Sequence, residues 1–307
     1  MTIARRANLI QRIDDGKLET SARNKERMEN LPSYFIGFAV FFLGLIIGSF
    51  LNVVIYRVPL RESVVSPGSR CPGCNTDIKA YDNIPVISYA ILGGRCRNCG
   101  IGISIIYPAV ELLVGLLYLL LFLKDGLSLL LPADIVFVSL IVPLVFIDLR
   151  HKILPDAINY PGLLLMIILR VIAPDPVIIE ATRATWHLTA WPVWAVSLAG
   201  SALGAAVGGG SLLLVREGYF RLRRVEGMGL GDVKMMLMVG AFLGWQLTLL
   251  TIFLASLLGS LIGIGLISMR GGSMKMEIPF GVFLGPAAII SLFAGQPLIR
   301  WYIGFFN

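Results

Sequence analysis

The chain has 307 residues, of which 56% are hydrophobic and 15% charged, and its mean hydropathy is +0.81. An ordinary soluble domain carries roughly 25% charged residues, so this composition excludes disorder, a coiled coil and a plain water-soluble enzyme. The apolar excess runs nearly to the C-terminus, which excludes a single anchor on a soluble domain, and basic membrane-flanking loops explain the formal charge of +7 better than nucleic acid does.

Apolar runs mark the expected crossings, at about 20 residues each. They are Phe35–Tyr56, Ile101–Leu123 with Glu111 inside it, Leu129–Ile147 with Asp134, the short Ala157–Ala173 with Arg170, Val193–Val215, Met235–Met269 and Ile278–Ile299. The sixth run is charge-free for 35 residues. As one helix it would measure about 52 Å against a hydrocarbon core of roughly 30 Å, so it must fold back, near Gly244-Trp245-Gln246. That gives about eight transmembrane helices and an all-α polytopic membrane protein, since lipid offers no partner to a free backbone N–H. Gly204, Gly208, Gly209 and Gly210 in the fifth run point to close helix packing or a kink.

Basic residues set the orientation. The segments 57–100, 148–156, 216–231 and 270–277 hold 14 Lys and Arg, whereas the opposite side holds Lys124, Arg170, Arg183 and Arg300. The first set is expected in the cytoplasm. The tail 1–34 runs against this with seven basic residues, as it would if translation began at Met28.

The polar segment 57–100 carries Cys71-Pro-Gly-Cys74 and, 21 residues on, Cys96-Arg-Asn-Cys99. Two such turns can aim four thiolates at one ion, and a closed four-sulfur shell is the mark of structural zinc. Gly73 and Gly100 suit the tight turns. A pair of disulfides is the other reading, disfavoured in a reducing compartment.

Two carboxyls stand at the expected cytoplasmic edge: Asp148 closing the third run, and Asp232 in Gly229-Leu-Gly231-Asp232 opening the sixth. Carboxyls beside a membrane are costly and usually functional. A pair sharing one proton can activate water and protonate a leaving amine, a route to peptide hydrolysis without a covalent intermediate. Gly229 and Gly231 would let the backbone approach a peptide. The residues alone leave two plainer readings open: Asp148 solvated beside Arg150 and Lys152, and Asp232 capping its own helix.

Taken in order, Gly48-Ser-Phe-Leu-Asn-Val-Val-Ile-Tyr-Arg-Val-Pro59, the two cysteine pairs with Tyr81-Asp-Asn-Ile-Pro-Val-Ile-Ser-Tyr89 between them, Tyr107-Pro-Ala-Val-Glu111, the stretch Asp148 to Asp156, and Gly229 to Asp232 resemble the bifunctional prepilin peptidases. These are the type IV prepilin leader peptidase and N-methyltransferase family, which belongs with the Gly-x-Gly-Asp membrane aspartyl proteases. The resemblance covers about 35–300.

It implies catalytic roles for Asp148 and Asp232, and cleavage after Gly of the basic leader of type IV prepilins or type II secretion pseudopilins. It further implies methylation of the new N-terminus from S-adenosylmethionine, with Glu111 as the methylation-linked candidate, although no Gly-x-Gly-x-x-Gly site for the donor is visible. The implied division is a tail at 1–34, a first span at 35–56, a cytoplasmic zinc-binding domain at 57–100 and a peptidase core at 101–307. The implied setting is the bacterial inner membrane with the site facing the cytoplasm, membrane lipid around it and no nucleic-acid partner. The oligomeric state stays open. A peptidase-only enzyme, a broader intramembrane aspartyl protease and a non-enzymatic transporter or scaffold are the alternatives.

Overall fold

The computed structural model describes residues 33–225, 227–270 and 279–305. Residues 1–32, with the proposed start at Met28, and residues 271–278 lie outside the described residues. Within them every regular element is helical, and two isolated β-bridges, Arg70 with Asp77 and Arg95 with Gly102, are the only pairings of extended chain.

The helices are α1 (Ser33–Arg57), the short α2 (Ile87–Ile91), α3 (Ile106–Asp125), α4 (Leu130–His151), α5 (Asp156–Ile172), α6 (Pro176–Trp186), α7 (Val193–Arg223), α8 (Leu230–Arg270) and α9 (Gly281–Ile303), with a 3-10 turn at Ala80–Asp82. Six of them are long and apolar enough to cross a membrane, or seven if α5 and α6, bent by 89°, form one span. The eight expected crossings map onto α1, α3, α4, α5, α7, two legs of α8, and α9.

The fold-back inside α8 is real. Gly244 has φ 74° and ψ 169°, outside the helical region. A Cβ added to Gly208 would run into the Met236 carbonyl and lie 3.0 Å from the Thr248 methyl. Those two residues would be about 18 Å apart along a continuous helix, so both legs, 230–243 and 245–270, lie against the same face of α7. Gly204 likewise abuts the Gly240 carbonyl and Gly244 Cα, as the expectation of close packing requires, whereas Gly210 faces open space.

Two details differ from the sequence reading. α3 starts at Ile106 rather than 101, because residues up to Ile103 are held in the second cysteine hairpin by Cys96 N–H to Ile101 O (2.9 Å) and Ile103 N–H to Gly94 O (2.7 Å). The run ending at Ala173 is followed by the additional helix α6. Its N-cap is Asp175, whose side chain accepts from Val177 N–H at 2.8 Å, with Pro176 next, a standard start signal.

The core is apolar, with Phe137 and Phe242 stacked at 4.3 Å. α3 and α4 are joined by residues 126–129, so they run antiparallel, and the start of α3 lies at the same end of the bundle as the end of α4. The cysteine loop, between α1 and α3, and Asp148, near the end of α4, therefore share that end.

Candidate active site and cysteine centre

Asp148 and Asp232 are 84 positions apart in sequence and meet in space, near enough for their charges to interact. Asp148 sits in the last turn of α4, which Lys152 ends in the left-handed region with its N–H on Asp148 O at 2.9 Å. Asp232 lies in the first turn of α8. Their residues are 4% and 7% exposed, so both are withdrawn from solvent.

A third element completes the site. The N–H of Gly281, the first residue of α9, faces both carboxyls; that of Val282 also faces Asp148, and that of Gly229 faces Asp232. Asp232 stands at the third position of α8 rather than at its N-cap, and its carboxyl faces back toward the Gly229 N–H as well as toward Gly281. Leu154 packs beneath: Cβ atoms added to Gly231 and Gly281 would lie 2.9 Å from Leu154 Cβ and 3.1 Å from its Cδ1. Lys234 Nζ bridges to both oxygens of Asp156, at 2.7 and 2.9 Å, tying α8 to α5 beside the pair. Gly281 and the Lys234–Asp156 bridge are absent from the sequence reading, because both are contacts between segments far apart in the chain. Gly229 is exposed and keeps the approach to Asp232 open.

The four cysteines converge. Their Sγ atoms lie within 4.8 Å of one another, and Cys71 and Cys99 are 3.7 Å apart. All four are free thiols. A zinc tetrahedron with Zn–S of about 2.3 Å has sulfur edges of about 3.8 Å, so the donor set fits that ion. The two hairpins are built alike: Asn75 N–H returns to Cys71 O (2.8 Å) and Gly100 N–H to Cys96 O (2.9 Å), with both Asn75 and Gly100 at positive φ. Gly73, expected to make the first turn, packs against Ile101 instead. Asn98 Nδ2 crosses between the hairpins to Thr76 Oγ1 at 2.9 Å.

The sulfurs also compete for charge. Hydrogen bonds from Thr76 and Asn98 hold the Cys74 thiol down at about 6. At Cys99 a hydrogen bond from the Ile101 backbone favours the thiolate, but burial and the other thiols outweigh it and push the group up to about 12. A cation among them would relieve that conflict.

Glu111 lies inside α3, 8% exposed, and its Oε2 accepts the Val86 N–H at 2.8 Å. Its partner is therefore the cysteine loop's backbone rather than a basic side chain. Ser49 of α1 also faces this carboxyl and lines a groove of about 510 Å³ with Phe50, Asn83 and Pro85.

Residues 42–124 match the bacterial peptidase A24 N-terminal domain, and residues 135–264 match the type IV leader peptidase family. The prepilin leader peptidase/N-methyltransferase of Myxococcus xanthus is 42% identical over 238 residues, covering 76% of this chain and 65% of its own length. That of Aeromonas salmonicida is 35% identical over 296 residues, 86% of this chain and 92% of the relative, and that of Pseudomonas aeruginosa is 32% identical over 303 residues, 91% and 98%. No solved structure matches the chain. The fold and site define a polytopic membrane protein in which two buried acids from separate helices meet. The chain belongs to the type IV leader peptidase family.

Proposed function

We propose that this chain removes the short basic leader of type IV prepilins or type II secretion pseudopilins, cutting after Gly at the cytoplasmic face of the bacterial inner membrane, and then methylates the new N-terminus. The observation that carries the peptidase reading is the convergence of Asp148 and Asp232 around the Gly281 N–H.

Two carboxyls in mutual reach do not readily both ionise, so the pair holds one proton. The ionised member takes a proton from water as the water oxygen adds to the scissile carbonyl carbon. The protonated member donates to the carbonyl oxygen, and on collapse a proton passes to the leaving amine as the C–N bond breaks. The exposed Gly229 leaves the substrate backbone room to enter, while Gly231 packs on Leu154. The substrate is itself an apolar helix with a basic leader, and a pair at the end of α4 and the start of α8 meets its cleavage point without drawing that bond into lipid.

Zinc held by Cys71, Cys74, Cys96 and Cys99 would be structural, since four cysteines leave no open position. It would supply folding energy to a loop too small for a core of its own. The methyl donor is S-adenosylmethionine, with Glu111 at the junction of α1, α3 and the cysteine loop as the candidate residue.

The test is processing of a purified prepilin in detergent or proteoliposomes. The wild type should release the leader and, given S-adenosylmethionine, add a methyl group to the mature pilin. Exchange of the basic leader for a neutral one should abolish release; undiminished release would favour a broader intramembrane protease.

A further inference from the structure

At the acid pair α9 meets α4 through a glycine, Gly281, set against the Asp148 carboxyl. A Cβ added to Gly281 would lie 2.6 Å from Asp148 Oδ2, 3.2 Å from its Cγ and 3.1 Å from Leu154 Cδ1. Separations under 3 Å are essentially never seen at a Cβ, so a side chain at this position would have to displace the Asp148 carboxyl. Asp148 Oδ2 is buried and has no well-formed hydrogen bond of its own. The backbone N–H groups of Gly281 and Val282 face this carboxyl, and Asp232 shares the first of them. Free N–H groups at a helix start are orphan donors, and here they are turned on two acids rather than on water. Leu154 closes the far side, touching both Gly231 and Gly281, so the glycine before Asp232 and the glycine beside Asp148 rest on one side chain.

We propose that Gly281 is the positioning residue of the acid pair: its absent side chain admits the Asp148 carboxyl, and its N–H, set between the two carboxyls, fixes their separation. This rests on the peptidase reading above. The start of α9 is then a third part of the active site, supplying no reacting group but setting the geometry that the proton transfers need. A shift of about 1 Å in such a group costs on the order of 100-fold in rate.

The experiment compares Gly281→Ala with Gly210→Ala, whose added Cβ meets nothing within 4 Å, in the full-length enzyme acting on a purified type IV prepilin. Gly281→Ala should lower kcat about 100-fold with KM within about threefold, and should displace the pH–rate profile. Gly210→Ala should match the wild type in both. Should Gly281→Ala fail to accumulate, the double variant Gly281→Ala/Leu154→Ala, which removes the leucine contact and leaves the carboxyl contact, must show the same kcat loss. A Gly281→Ala enzyme with wild-type kcat, or with reduced kcat and an unshifted pH profile, overturns the proposal. Asp148→Asn, assayed alongside, separates the two claims. If it cleaves normally, the peptidase assignment of the pair has failed; if it is inactive while Gly281→Ala is normal, only the positioning role has.

Discussion

The Glu111 carboxylate accepts the Val86 N–H at 2.8 Å, and Val86 stands at φ 61°, a conformation β-branched residues avoid. One carboxyl in the second span thus holds a strained residue at the start of α2, and with it the segment between the two cysteine pairs.

Glu111→Gln should keep an acceptor on Val86 and leave the loop docked. Glu111→Ala leaves the N–H without that acceptor, at a cost of about 1.5–3 kcal/mol for a bond to a charged group. Limited proteolysis near residues 80–91 should be faster in the alanine variant only. If the carboxyl also serves methylation, Glu111→Gln should retain cleavage and lose methyl addition.

Metal analysis of the purified chain should find about one zinc, lost in Cys71→Ser/Cys74→Ser. Each ligand must shed its proton to bind. At neutral pH the metal-free Cys74 thiol, at about 6, is already ionised, whereas Cys99, at about 12, is not. Affinity should therefore fall as pH is lowered, and more steeply below about 6, where Cys74 takes up its proton too. Zinc release traced with a chromogenic chelator across pH checks the sign.

At the far end of the bundle Arg170 is 1% exposed, stacks on Phe242 at 3.7 Å, donates from Nε to the Phe242 carbonyl at 2.8 Å, and has Asp134 and Asp175 at 3.6 Å. It secures the end of the leg 230–243 just before the reversal at Gly244. Arg170→Met should destabilise by about 1–3 kcal/mol, because the buried Phe242 carbonyl loses its donor while Asp134 keeps Lys124 Nζ at 2.7 Å, and Arg170→Met/Asp134→Asn should cost less than the two single changes summed. Thermal unfolding in detergent measures both.

Gly204→Ala forces a methyl against the Gly240 carbonyl, whereas Gly210→Ala meets nothing. The first should lose about 1–3 kcal/mol by overpacking and the second almost nothing, by the same unfolding assay.

These residues also mark how much was legible in advance. The spans were, because hydrocarbon demands long apolar runs, and the fold-back at Gly244 followed from a run too long for one crossing. The cysteine centre followed from spacing. Arg170 in a short run carried no sign of its burial, because the Phe242 ring and carbonyl that receive it come from 72 residues away. α6 was legible in Asp175-Pro176 but hidden by the weaker hydropathy after Ala173. Gly281 was not legible at all: its bearing on Asp148 is a contact across 133 positions that no local pattern encodes.

Prepilin cleavage by Asp148→Asn and Asp232→Asn, each purified and shown to fold like the wild type, tests the central claim most directly. The expected result is loss of leader release in both, since neither proton transfer can proceed with one carboxyl replaced by an amide. Wild-type cleavage by either variant would contradict it.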